Sequence, residues 1–258
     1  MTPATTSPVT DLDAQLARPA LDALFDDAEL TGLPEPVRRY LRAAVAPGTP
    51  ISRAVRVTMR GQLRLGRRWL PFRARETLAP HEGFVWEARV AGVIAGADHY
   101  AAGEGALDWK LLGLVRVAHG EGADVTLSAA GRCAAEAVWV PTTLLPRFGV
   151  RWEADDDRHI AATYRVGDVE VTGRFEIDSA GGLLSATFER WGDPNGDGTF
   201  GLHPFGLVAT GRTTFAGLSV PATGRVGWYP GTERWADGEF FRYQLLDVAP
   251  VPAERRDP

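Results

Sequence analysis

A chain of 258 residues, 45% apolar and 24% charged, can bury one large core, and its 28 basic against 33 acidic groups leave a net charge of −5. A slight acid excess spread along the chain argues against nucleic acid as the main partner, which calls for a basic face. One cysteine, Cys133, excludes an internal disulfide and multi-cysteine zinc or iron–sulfur sites, and one lysine, Lys110, makes Schiff-base chemistry improbable.

The first residues show neither a basic n-region nor an apolar h-region, so no signal peptide is expected. No apolar run approaches the roughly 18 to 20 residues of a membrane helix, and the expected location is the cytoplasm. Residues 1–9 are polar and proline-containing and read as a flexible tail. Thr10 followed by Asp13 imitates a capping box, with Leu12 and Leu16 on one face. Pro19 predicts a second helix that groups Leu21, Leu24 and Phe25. Pro34 or Pro36 opens a third, where Val37, Tyr40, Leu41 and Val45 recur at helical spacing.

From residue 52 the period changes to two. Val55, Val57, Met59, Gly61, Leu63 and Leu65 alternate with polar residues, a strand with one buried face. "WLPFRARETL" and "FVWEARV" continue as strands, Pro71 making the first an edge strand or one that begins late. Residues 98–125 read as short strands joined by Gly-rich turns. A three-stranded meander covers Ile160–Val166, Val169–Ile177 and Leu184–Phe188, with further strands near 207–216, 222–229 and 239–248. Between these sets "SAAGRCAAEAVWVPTTLLP" runs helical from about 129 to 139. It is apolar almost all round, with Arg132 and Glu136 four apart.

A helix that apolar belongs inside. The predicted class is mainly β (α+β): a strongly curved antiparallel sheet forming an open or half β-barrel around a central apolar helix. It is divided as N-terminal helices at 10–50, the sheet with its inserted helix (about 129–145) at 51–249, and a tail at 250–258, all in one domain. Several stretches, among them "PEPVRRYLRAAVAPGTPI", "GRCAAEAVWVPTTLLP", "RWGDP", "HPFG" and "RWADGEFFRYQL", resemble a bacterial family of hypothetical proteins without an assigned activity. That likeness spans about residues 33 to 247. The shape resembles, more loosely, the lipoprotein-carrier half-barrels, which implies a cavity for acyl chains.

In "RWGDPNGDGTFGLHPFG", Asp193, Asn195, Asp197 and Gly198 fill four places of the EF-hand pattern, but the twelfth place holds Pro204 instead of a bidentate Glu. Asp, Asn and Gly are also what a long turn selects, with "HPFG" read as a further turn. No metal and no cofactor are therefore expected. G-x-S-x-G, H-E-x-x-H and P-loop patterns are missing as well. Cys133 reads as a core residue, and His81, His99, His119 and His159 as surface side chains. What remains is a set of polar residues beside large aromatics. The expected ligand contacts are Trp86, Trp139, Tyr164, Arg190, Trp191, Glu233 and Trp235, holding an apolar or amphipathic small molecule. The alternative is a cofactor-free cyclase, isomerase or hydrolase using Glu136 with His203 or Asp193 as acid–base groups. The reading preferred for these polar residues is a set of salt bridges that fasten helix and loops to the sheet.

Overall fold

The two-residue period that sets in after residue 52 becomes thirteen strands of one antiparallel sheet. The computed structural model describes residues 8–252. Before the sheet come α1 (Pro8–Leu16) and α2 (Glu35–Ala44). Strands β1 (Val55–Leu65), β2 (Arg68–Ala79), β3 (Gly83–Val90), β4 (Ile94–Ala101), β5 (Glu104–Leu111) and β6 (Val115–Gly120) form a meander. Helix α3 (Ala123–Glu136) follows, and short 3-10 turns carry the chain to residue 148. The second meander is β7 (Arg151–Ala154), β8 (His159–Val166), β9 (Val169–Ile177), β10 (Leu183–Gly192), β11 (Gly201–Phe215), β12 (Leu218–Trp228), the turn α4 (Trp235–Gly238) and β13 (Glu239–Pro250).

Strand order is β6-β5-β4-β3-β2-β1-β13-β12-β11-β10-β9-β8-β7. The two meanders are joined by pairing of the first and last strands, with Val57 opposite Val248 and Leu63 opposite Phe241. The edges, β6 and β7, stay unpaired with each other, and α3 is the crossover between them. It touches β2 to β5 on one side and β8 to β10 on the other. A sheet that reaches the same helix from both ends is an open half-barrel wrapped round it.

Alternation then fixes the interior. Val57 and Met59 of β1, Phe84 and Trp86 of β3, Tyr164 of β8, Phe175 of β9 and Phe188 of β10 are all buried. Small residues let α3 sit close: Ala130, Gly131, Cys133 and Ala134 are buried along it. The Cys133 thiol lies 3.6 Å from Pro80 O, and burial pushes its pKa well up, which suits a core residue. Helix α2 enters the same core through Val37, Tyr40 and Leu41. Helix α1 packs on the opposite, convex face, where Leu16 meets Val85, Ala79 and Ala101 in a separate small cluster.

Local signals were overridden in several places. The helix expected at Pro19 does not form, because residues 20–25 run extended beside residues 49–51: Leu21 N donates to Ile51 O, and Phe25 N to Thr49 O. Leu24 and Phe25 consequently part company, at 61% and 1% exposure. Helix α1 begins before Thr10, so that residue is not its cap. Pro71 does not mark an edge: β2 lies between β1 and β3, and the β2–β3 ladder starts one residue later, at Phe72 opposite Val90. "HPFG" is no turn but part of β11, where Pro204 joins the sheet through its carbonyl, an acceptor for Tyr229 N at 2.7 Å. Helix α3 starts six residues before the expected 129 and ends at Glu136. The tails expected at 1–9 and 250–258 lie outside the described residues but for their inner ends; Val9 belongs to α1, and Val251 is buried.

Candidate functional site

Three strands break their own apolar rhythm with a charge. On β2, Glu76 continues the buried phase of Phe72 and Ala74; on β4, Asp98 precedes the buried Tyr100 by two; on β10, Arg190 follows Ala186 and Phe188. All three point at α3, which contributes Arg132 and Glu136 one turn apart. Arg132 Nε donates to Glu136 Oε1 at 2.8 Å, its Nη1 to Asp98 Oδ2 at 3.0 Å, and its Nη2 reaches Glu76 Oε1 at 3.5 Å. The same guanidinium lies 4.3 Å over the Phe84 ring and 4.9 Å over Trp86.

Three of the ionisable groups gathered here, Glu76, Arg132 and Arg190, are shifted by burial and by their neighbours. Burial pushes the Glu76 carboxyl well above its ordinary 4.5; the neighbouring Glu136 carboxylate adds to this, and Arg132 opposes it. Burial works against the Arg132 charge, but Glu136, Glu76 and Asp98 together raise its pKa. Arg190 goes the other way, drawn down to about 9 by burial first and by Arg132 next. Glu76 Oε2 and Glu136 Oε2 are both buried without a hydrogen-bond partner.

Above this floor is a cavity of about 420 Å³, within the range of roughly 300 to 1,000 Å³ for drug-sized ligands. Its walls are Trp86, Trp109, Phe205, Phe240 and Phe241 with Leu63, Ile94 and Leu107, and its charged lining is Asp98, Arg132, Glu136 and Arg190. Trp109 Nε1 donates to Asp98 Oδ1 at 2.7 Å, so one wall is tied to the floor. The cavity opens at the end of the sheet where Leu65 and Val117 line it and are 45% and 49% exposed. The β3–β4 and β5–β6 turns at that end add Val93, Leu112 and Leu114 as an exposed apolar rim.

Of the residues named from sequence, Trp86, Trp139, Arg190 and Glu136 line this cavity. The others do not. Tyr164 lies behind α3 and donates its hydroxyl to Ala134 O at 2.8 Å. Trp191 faces away, its Nε1 bonded to Asp124 Oδ1 at 2.8 Å. His203 is the strand partner of Arg190, but its ring packs on Trp228 and Tyr229. Asp193 is occupied in its own loop, accepting backbone N–H bonds from Gly196 at 2.8 Å and Gly198 at 2.7 Å. Glu233 and Trp235 belong to the segment between β12 and β13, which Arg234 ties to Asn195 of that loop. His81, expected at the surface, is half-buried, its ring between Arg165 O and Thr143 O at 2.9 and 2.8 Å. Asp98, Glu76, Trp109 and Phe240 were missed, and a charge in the buried phase of a strand was the signal for the first two. Among the described residues no three His, Cys, Asp or Glu side chains gather to hold a metal ion, and no helix is long and apolar enough to cross a membrane.

Three solved structures are similar in outline. A LolA superfamily protein from Nitrosomonas europaea is 12% identical with a TM-score of 0.45, covering 86% of this chain and 93% of its own. A DUF1329 family protein from Desulfovibrio piger is 11% identical, TM-score 0.42, covering 98% and 96%. A domain from Vibrio parahaemolyticus described as an outer membrane lipoprotein-sorting protein is 10% identical, TM-score 0.41, covering 80% and 87%. No curated protein matches the sequence. A family model does match, over residues 23–240, and the chain belongs to that family, DUF6544, a family of unknown function.

Proposed function

We propose that the protein binds an apolar or amphipathic small molecule in the half-barrel cavity, with the apolar body against the aromatic walls and any polar end towards the charged floor. The observation that carries this reading is the cavity itself: about 420 Å³ of space between α3 and the inner faces of β1, β3–β6 and β10–β13, open to solvent at an apolar rim. A stretch of apolar wall that no side chain fills loses packing on one side, and an apolar guest restores it. Ala135 is the residue through which to test this, because it sits on α3 facing the space. A neutral solvatochromic dye should bind the protein saturably, quench tryptophan emission and raise the melting temperature by mass action, by about 2.7 kcal/mol of stability at a hundredfold excess over Kd. Ala135→Trp should abolish all three while the fold survives. No saturable binding by any member of a broad apolar library would sink the reading.

The catalytic alternative keeps one of its three groups at the cavity, Glu136, since His203 and Asp193 are turned elsewhere. A carboxylate beside a buried, proton-retaining partner is how enzymes hold a general acid. Under that reading, Glu136→Gln removes turnover of a bound ligand while leaving its affinity in place.

A further inference from the structure

The two arginines of the cavity are treated very differently. Arg132 has three carboxylates within 4 Å; among the described residues Arg190 has none. Yet Arg190 is carefully seated. Its Nε donates to Ser128 O at 3.0 Å, and its guanidinium lies 4.4 Å from the Phe205 ring and 5.3 Å from that of Trp228. Gly131 makes room for its stem, because a Cβ at that position would stand 2.9 Å from Arg190 Cγ. A glycine inside a helix costs about 0.8 to 1 kcal/mol relative to alanine, so the groove under α3 is maintained at a cost in stability. Ring faces and Nε are thus occupied, while among the described residues neither terminal nitrogen has a protein acceptor. The acids present no such opening: Glu136 Oε1 is held by Arg132, and Glu136 Oε2 and Glu76 Oε2 are sealed from solvent.

Resting on the binding reading above, we propose that Arg190 receives the anionic head, carboxylate or phosphate, of an amphipathic ligand whose hydrocarbon body lies along Trp109, Ile94, Leu63 and Phe240. The planar guanidinium fork matches either head in a bidentate fashion, and beside aromatic walls such a charge-assisted pair is stronger than a neutral hydrogen bond. The floor does not repel an incoming anion. Two arginines, Arg132 and Arg190, face two acids, Asp98 and Glu136, in the cavity lining, and the third acid, Glu76, lies beneath it with its pKa raised by burial.

The test uses the full chain and four probes that share one chain length: dodecanoate, dodecyl phosphate, dodecanol and dodecylamine, each below its micelle concentration, displacing the neutral dye. The anions should bind at least about tenfold more tightly than dodecanol, as expected for a charge-assisted pair, with dodecylamine weakest. The order of the two anions tells carboxylate from phosphate. Arg190→Met, which keeps the stem, should remove that advantage and leave the dodecanol affinity within about threefold; Arg190→Lys should keep part of it. Dodecanol binding as tightly as the anions, preference for dodecylamine, or an Arg190→Met variant that loses all four probes alike would each overturn the proposal. So would dye binding that none of the four displaces, in which case the cavity still stands. If the dye does not bind either, the cavity reading itself has failed. Should Arg190→Met not fold, the ranking on the unaltered protein and on Arg190→Lys decides.

Discussion

Helix α3 divides the half-barrel into a filled side and a hollow one, although both are built from the same alternating strands. On the β7–β10 side Tyr40 of α2 packs against Trp152 and Phe175 at 5.7 and 5.8 Å, Phe175 against Phe188 at 5.9 Å, and Phe188 lies over Gly173 across the strands. On the other side the aromatics touch one another along the wall: Phe72 meets Phe241 at 4.8 Å and Trp86 at 5.8 Å, and Trp86 meets Trp109 at 5.6 Å. Between them and the Arg132–Glu136 end of α3 the cavity stays open. What separates the sides is the placement of two helices. Helix α2 reaches into the core and fills one side; α1 lies on the convex face and leaves the other without a plug. Helix α3 lends the hollow side its Arg132, Ala135 and Glu136, and its Ala134 carbonyl takes the Tyr164 hydroxyl on the filled one.

Truncation should therefore act in opposite ways on the two sides. Phe175→Ala in the filled half leaves a cavity among fixed neighbours and should cost about 3 to 5 kcal/mol in urea unfolding, without changing ligand affinity of the folded fraction. Trp109→Ala in the hollow half should cost clearly less stability, since that ring already borders open space, but should weaken dye binding strongly. Equal stability losses with unchanged affinity in both would erase the distinction.

The charged floor comes next. Arg132→Met leaves three carboxylates facing one another and should cost about 3 kcal/mol, the lower end of what breaking a buried pair costs. Glu76→Gln should be nearly neutral at low pH, because the group it replaces already holds its proton. The sign of its pH dependence follows from linkage. A carboxyl raised above its ordinary 4.5 on folding contributes stability that is complete below that value and is lost as pH climbs through the folded pKa. Urea midpoints between pH 4 and 8 should fall with pH more steeply in the unaltered protein than in Glu76→Gln. Parallel curves would place Glu76 as an ordinary ionised partner of Arg132.

Sequence made the architecture legible because the period of two shows clearly in the first half of β1 and along β9, and because α3 is too apolar to lie outside. The Arg132–Glu136 pair was readable from its spacing of four. Half of the cavity was not. Phe240 and Phe241 reach it through pairings far apart in sequence, such as Leu63 with Phe241, which no local window contains. The aromatic-charged stretch around Glu233 and Trp235 misled for the converse reason: composition looks the same whether such residues line a pocket or fasten two loops together. Pro19 misled because pairing with residues 49–51 outweighed a local helix signal.

The smallest effect is expected where the sequence looked most like a metal site. In the loop after β10, both Asp193 oxygens are engaged by backbone N–H groups, Gly196 and Asp197 on Oδ1 and Gly198 on Oδ2. These bonds, that from Gly198 foremost, hold its pKa below the ordinary 3.8. A depressed carboxyl contributes stability that is present above its ordinary pKa and lost as pH falls through the lower value, so any contribution here is confined to acid conditions. The group is partly exposed and solvent screens it, and the loop lies outside the cavity lining. Asp193→Ala should thus give the slightest fall in melting temperature of the set and leave dye affinity untouched, which separates it from Trp109→Ala. Calcium at millimolar concentration should not move the melting temperature, because the lone pairs a cation needs are already directed at amide hydrogens. A calcium-dependent rise that Asp193→Ala abolishes would make the loop a cation site after all, and would give the molecule a third functional region beside its filled and hollow halves.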